Sequence, residues 1–445
     1  MRVQVLLVSA AIAWFVGCGE SETFIGGGGG SGGAGGSSSS GGSGGSGTGG
    51  GTGVSGTCAD GDGDGYTTCA GDCNDSNKDV NPGTAETQNG IDDNCDAKID
   101  NKISGYDSDK DGTPYPQDCD DDNAVIGPNA VEVPGNTVDE NCSGAVDDVA
   151  NCNEAAVSPT SNTARDLATA IGLCGPFALD AGTTGNTASR RVRERFGNKW
   201  LPRQGPRLAM LSTGKALDGN DSYSPQSGTG FSFSSVAHPL YSPPKMGCGT
   251  AQANPSAYDV AKLTLTLKVP QNAQGFSFDF AFFSSEYPEY VCTQYNDRFI
   301  ALLSSQALVP STVAVGQCKS ASSPATCNVS YDSQSQPVTI NNALFQVCDT
   351  FVGKNKFGLN ISNTCALDAG TLEKTGYDTK IGALRIGGAT DWLTTKAPVK
   401  PGETATLELI VLDEGDDSYD SAVIVDNFKW ITTEVKAPDT TPAFE

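Results

Sequence analysis

Residues 3–16 are apolar except for Gln4 and Ser9. Such a run has the length of a signal-peptide core and is too short for a comfortable membrane span. In residues 26–56, 19 of 31 positions are glycine and most others are Ser, Thr or Ala, so no apolar face exists to bury. A tract of this kind behaves as a random coil spanning roughly 30 Å. Residues 58–150 remain poor in large apolar side chains and are interrupted throughout by Gly, Pro, Asn and Asp. Only beyond Cys152 does the pattern become that of an ordinary globular domain.

There, alternation with period two dominates. Leu263, Leu265, Leu267 and Val269 alternate with Thr264, Thr266 and Lys268. Phe276, Phe278, Phe280 and Phe282 repeat the pattern, and Phe283 ends the run. Residues 299–303, 338–340, 357–361, 407–412 and 422–430 read as further strands between turn-forming residues. One short helix is expected after Thr163 as N-cap, with Asp166 three residues on and Ala164, Leu167, Ala168 and Ile171 on one face. Residues 189–196 suggest a second, arginine-rich turn of helix with a solvated face. The expected class is all-β: a large β-sandwich or jelly roll over 152–436, with a disordered tail at 437–445. Two small loop-rich units, 58–104 and 105–150, precede it.

Charge changes the picture of those units. The chain carries 53 acidic and 28 basic residues, a formal charge of −25. Residues 58–150 hold 23 acidic and 4 basic residues, so 23 minus 4 places −19 there. Nucleic acid is a poor partner for such a chain. Like charge at this density stays compact only if something neutralises it, and a bound cation is the simplest candidate.

The two units repeat each other. The first reads Asp60-Gly-Asp62-Gly-Asp64-Gly65, then Asp72-Cys73-Asn74-Asp75, Glu86 and Asp92-Asp93-Asn94-Cys95. The second reads Asp107-Ser-Asp109-Lys-Asp111-Gly112, then Asp118-Cys119-Asp120-Asp121, Glu132 and Asp139-Glu140-Asn141-Cys142. Carboxylates at positions 1, 3 and 5 followed by a glycine turn suit Ca²⁺, which takes six to eight oxygens. Position 12 counted from Asp107 is Asp118; in the first copy the carboxylate falls one later, at Asp72. The candidate metal ligands are therefore Asp60, Asp62, Asp64, Asp72 and Asp75, and Asp107, Asp109, Asp111, Asp118 and Asp121. No flanking helices are expected, so these are not EF-hands. A single Asp-Gly run fits a mere turn as well as a Ca²⁺ loop; two copies with matching cysteines and downstream acids favour Ca²⁺.

Fifteen cysteines and a lone histidine, His238, point to disulfides in an oxidising compartment rather than to zinc. Equivalent positions in the repeats suggest Cys73–Cys95 and Cys119–Cys142. Cys58–Cys69 and Cys152–Cys174 are local candidates, and Cys318–Cys327 and Cys348–Cys365 are favoured by proximity. Cys248 and Cys292 complete the large domain's set.

Phe15-Val16-Gly17-Cys18 resembles a bacterial lipobox, although Phe15 departs from the usual Leu. The resemblance implies a signal peptide over 1–17 and lipidation of Cys18, followed by a linker over 18–57. Gly19 in place of Asp implies the outer membrane or cell surface. Removing Cys18 leaves an even count of cysteines. The acidic copies resemble the metal-binding repeat of MopE-like bacterial surface proteins. That family's copper chemistry relies on histidine and a modified tryptophan, and neither His nor Trp occurs in 58–150.

In the large domain, Glu286-Tyr287-Pro288-Glu289, then Asn296-Asp297-Arg298-Phe299, then Asp420-Ser421 and Asp426-Asn427-Phe428 resemble the choice-of-anchor L domain of bacterial surface proteins over roughly 152–434. The resemblance implies exported display without catalysis. Glu286, Glu289, Asp297, Asp417 and Asp420, with Asn296 and Asp426, are oxygen ligands that could converge on another Ca²⁺ or merely cap turns. A glycoside hydrolase using Glu286 and Glu289 is the enzymatic alternative, but no cleft or aromatic platform is evident beside them. His238 has no nucleophile motif nearby. The expectation is a calcium-binding, lipid-anchored, non-catalytic surface protein for display or adhesion, its partners being the membrane and a surface glycan or protein. A glycan-binding module is the alternative.

Overall fold

The strand alternation of the large domain folds into two facing antiparallel sheets. A computed structural model of the chain describes residues 58–148, 152–227, 236–240, 256–320, 322–342, 344–381 and 384–443. The apolar leader, Cys18, the Gly-rich linker and Cys248 lie outside the described residues. In chain order the strands are β1 (Ala178–Thr184), β2 (Arg190–Arg193), β3 (Leu208–Ser212), β4 (Ala257–Lys268), β5 (Gly275–Ser284), β6 (Arg298–Ser305), β7 (Cys318–Ser320), β8 (Ala325–Asn328), β9 (Val338–Thr339) and β10 (Phe345–Val347). They continue as β11 (Phe351–Lys354), β12 (Asn360–Asn363), β13 (Thr379–Ile381), β14 (Leu384–Ile386), β15 (Gly388–Thr390), β16 (Leu393–Pro398), β17 (Thr404–Glu414), β18 (Ser421–Ile431) and β19 (Asp439–Pro442).

One sheet runs β1-β4-β17-β6-β8-β7, with β9 added on β6. The other runs β10-β15-β5-β18-β3-β2, with β16 beside β5 and β19 beside β16. Between them lies the main core. Leu263, Leu265 and Leu267 of β4 and Leu407, Leu409 and Val411 of β17 face Phe276, Phe278, Phe280 and Phe282 of β5. The opposite face of β5 is also buried: Ala281 and Phe283 pack with Phe196, Trp200 and Tyr377. That second burial explains why Phe282-Phe283 breaks the strict alternation. Helix α1 (Ala164–Ala170) forms with the Thr163 side chain accepting from the Asp166 amide, and it buries Leu167 and Ala168.

Three expectations are corrected. Residues 190–193 are the edge strand β2, paired with β3, and not a turn of helix. Four residues are too few to fix a period, and only Val192 points into the core, while Arg193 pairs with Asp218 and Asp221. Phe357 and Leu359 lie in the β11–β12 turn because the Asn355 side chain accepts from both their amides, so the strand begins at Asn360. The tail expected to be disordered supplies β19, which pairs with β16 and places the Thr440 hydroxyl 2.9 Å from that of Thr395.

The acidic repeats contain almost no regular structure. Cys58–Cys69, Cys73–Cys95 and Cys119–Cys142 staple them, and Cys152–Cys174, Cys318–Cys327 and Cys348–Cys365 lie in the large domain. Repeats and sandwich belong to one unit, Cys58–Glu445.

Candidate metal centres

Each Asp-Gly run curls because its carboxylates accept from main-chain amides a few residues ahead. In the first repeat Asp60 accepts from Gly63 at 2.6 Å and Gly65 at 3.0 Å, and Asp62 from Asp64 at 3.2 Å. Asp64 accepts from Tyr66 at 2.8 Å, Asp72 from Asn74 at 2.7 Å, and Asp75 from Gly61 at 2.9 Å. In the second, Asp107 accepts from Gly112 at 3.0 Å, Asp109 from Asp111 at 3.0 Å, Asp118 from Asp120 at 2.8 Å and Asp121 from Ser108 at 3.4 Å. Gly65 and Gly112 make the turn with φ of 99° and 100°, a conformation a side chain would strain.

These bonds satisfy only part of each set. The second oxygen of Asp62, Asp64 and Asp72 is buried without a hydrogen-bond partner. So are one oxygen each of Asp107, Asp109, Asp118 and Asp121. Buried polar atoms are normally paired, and a cluster of unpaired carboxylate oxygens is costly without a counter-charge. Oxygens of Asp60, Asp62 and Asp64 lie within 4.8 Å of one another, as do those of Asp107, Asp109 and Asp111. Burial pushes the Asp118 carboxyl up to about 6, with Asp111, Asp109 and Asp121 adding repulsion, and burial raises Asp62 and Asp109 in the same direction. Cys119 and Cys142 also approach Asp118, but their disulfide removes the thiolates a metal would need. The donor set is all oxygen and suits a hard cation.

The downstream acids are organisers rather than ligands. Glu86 accepts from Asn94 at 2.7 Å and Asp100 at 3.0 Å; Glu132 accepts from Asn141 at 3.0 Å and Asp147 at 2.8 Å. Each holds the closing segment of its repeat.

The sequence reading missed a contribution from the large domain. Gln271, in the β4–β5 turn, donates its side-chain amide to Asp111, while its Oε1 is buried without a partner. A Cβ on Gly127 would stand 3.1 Å from oxygens of both Asp111 and Asp118 and 3.3 Å from Gln271 Oε1, so glycine leaves that space to the three side chains. Asn272 fastens the contact: its Oδ1 accepts from Val131 at 3.0 Å and its Nδ2 donates to the Val131 carbonyl at 2.6 Å. Local spacing carries no trace of this partner, which is 160 residues from Asp111.

The large-domain acids separate into groups. Glu286 and Asp297 are buried together, the Asp297 amide donating to Glu286 at 3.3 Å. Asp297 also accepts from the Ser421 hydroxyl at 2.6 Å and the Glu414 amide at 3.1 Å. Asp420 is buried nearby, accepting from the Tyr223 hydroxyl. Asp413, absent from the candidates, joins them: the charges that bear on it are Asp297, Asp420 and Glu286. Asp417 is exposed and Glu289 half-buried. Asn296 accepts from Asn341 at 2.7 Å. Asp426 lies with a different set, accepting from the amides of Arg203, Gln204 and Asn427, and burial pushes its carboxyl up to about 7. His238 stands 3.8 Å from Glu414, which pairs with the buried Arg298.

An aromatic group lies beside the Glu286–Glu289 turn. Tyr290 packs on Tyr295 and Tyr419 at centroid distances of 5.5 and 5.3 Å, and Tyr295 stacks on the exposed Phe357 at 6.1 Å.

Residues 210–428 match the family model of the "Choice-of-anchor L domain". Residues 72–101 and 118–148 each match the MopE-type "Putative metal-binding motif". No curated protein matches the chain. Among solved structures, the bacteriophage CBA120 tailspike protein 4 enzymatically active domain aligns at 9% identity, over 57% of this chain and 19% of that one. Its TM-score of 0.17 carries no argument about fold or activity. The chain thus carries, in order, two copies of the MopE-type motif and a choice-of-anchor L domain.

Proposed function

We propose that the protein is a non-catalytic surface protein, exported and lipid-anchored through Cys18, whose acidic repeats bind Ca²⁺ and whose sandwich serves display or adhesion. An anchor-type domain behind metal-binding motifs fits a non-catalytic surface protein. The observation that carries the metal reading is the set of buried, unpartnered carboxylate oxygens in both repeats. Ca²⁺ is favoured over Mg²⁺ because the donors are numerous carboxylates on irregular loops, whereas Mg²⁺ keeps most of its waters. When bound, the cation supplies the positive charge that these loops lack. Glu286 is buried, which leaves the glycosidase alternative without an accessible carboxylate pair.

Calorimetry of the full chain should show Ca²⁺ binding in the range of about 10⁻⁴ to 10⁻³ M typical of extracellular sites. Asp118→Asn should silence the second repeat and leave the first intact. Heat unchanged by Asp118→Asn together with Asp62→Asn would remove the metal reading. Mass spectrometry of the mature N-terminus tests the anchor, and an unmodified start beyond residue 18 would remove it. A second reading, glycan binding, is favoured by the Tyr290, Tyr295, Tyr419 and Phe357 group, because aromatic faces suit sugar stacking. A glycan panel probed with and without Ca²⁺ separates it from display.

A further inference from the structure

At one end of the sandwich the inward-facing positions change from apolar to acidic on neighbouring strands. Asp413 continues the inward alternation of Leu409 and Val411 on β17. Asp297 precedes β6 in phase with Phe299 and Ala301, and Glu286 follows β5 in phase with Phe280 and Phe282. Asp420 lies at the start of β18, held through its carbonyl by the Ser285 amide and hydroxyl. Asp413 is 1% exposed, and neither of its buried oxygens makes a hydrogen bond of good geometry, although the side chains of Thr213 and Asp297 stand beside it. The nearby Tyr377 hydroxyl is buried beside the Ser212 side chain. The large residues' guanidinium in this region, Arg298, is directed at Glu414 on the other face of β17.

We propose that Glu286, Asp297, Asp413 and Asp420 form a Ca²⁺ site inside the large domain, separate from the repeat loops and built on strand ends instead of an Asp-Gly run. Four carboxylates withdrawn from water cannot all remain ionised without a counter-charge of comparable size. Two neutralising agents are available, protons and a cation. Asp297 already bonds Ser421 and the Glu414 amide, so a cation would take its remaining lone pairs together with the oxygens of Asp413. Among the described residues, only carboxylates of the repeats gather in threes within 4.8 Å, apart from the Asp118–cysteine group. No three of the strand-end acids meet at that distance, so an ion would gather them by side-chain rotation. The site also ties β5, β6, β17 and β18 at one end and orders the loop that carries Tyr419.

The test uses the full chain with both repeat loops silenced by Asp62→Asn, Asp64→Asn, Asp109→Asn and Asp118→Asn. Equilibrium dialysis against ⁴⁵Ca²⁺ should leave about one bound ion per chain, removed by adding Asp413→Asn. If that last variant fails to fold, Tb³⁺ added to the loop-silenced chain gives the answer. Luminescence excited through Tyr223 and Tyr377, and competed away by Ca²⁺, supports the site. No bound ion and no Tb³⁺ signal in the loop-silenced chain overturns it and assigns the neutralisation to protons. Because the wild-type chain would still bind Ca²⁺ in that case, failure here is distinguishable from failure of the repeat reading.

Discussion

Asp426 illustrates how a single buried carboxyl sets a pH response apart from any metal. Burial dominates its environment and raises it to about 7, against an ordinary value of 3.8, even though three main-chain amides hold its charged form. A carboxyl raised in the folded state favours folding at acid pH, and that contribution is lost as pH climbs from the unfolded value through the folded one. Between about pH 4 and 7 this residue should therefore lower the melting temperature as pH rises, with no further effect above. Asp426→Asn should flatten that limb of the profile; an unchanged slope in the variant would show that the group titrates normally. At this scale the clustering of the repeat carboxylates was legible because each loop gathers Asp residues that are neighbours in sequence. Gln271 and Asp413 were not, since only strand pairing and the β4–β5 turn bring them to their groups.

Among elements, β5 carries the most. Phe280 lies between Phe278 and Phe299 at centroid distances of 5.8 and 4.5 Å, at the centre of the inter-sheet core. Phe280→Ala should cost about 3–5 kcal/mol, measured by denaturant unfolding, because sheets held from both sides cannot collapse into the space. A loss below about 1 kcal/mol would mean that the site relaxes freely. Long alternating strands such as β4, β5 and β17 could be read directly, as could α1 from its Thr163 cap. Most elements of two to four residues could not, β9 within 338–340 excepted: β2 has one inward residue, and β19 consists of Asp, Thr and Pro with little intrinsic strand preference. Such strands exist because a neighbour's edge accepts them.

On the scale of the whole molecule, stability is divided unevenly. The sandwich has an extensive apolar core, whereas among the described residues of the repeats Val80 and Ala130 are the buried hydrophobic ones. Hydrogen exchange of the full chain should show protection of residues 58–148 in Ca²⁺ that collapses after chelation, while β4, β5 and β17 stay protected. Equal protection of the repeats in both conditions would mean that disulfides and turns suffice. The Asn272–Val131 contact has a geometric consequence as well. The second repeat is fastened to the turn that begins β5, and the acidic strand ends with the Tyr290 aromatic group lie beyond the other end of that strand, about 30 Å away at ~3.4 Å per residue. The sandwich therefore has two poles. One holds the second repeat with its acidic loop and the other carries the aromatic surface, so that whatever occupies one end stands a full strand's length from the other.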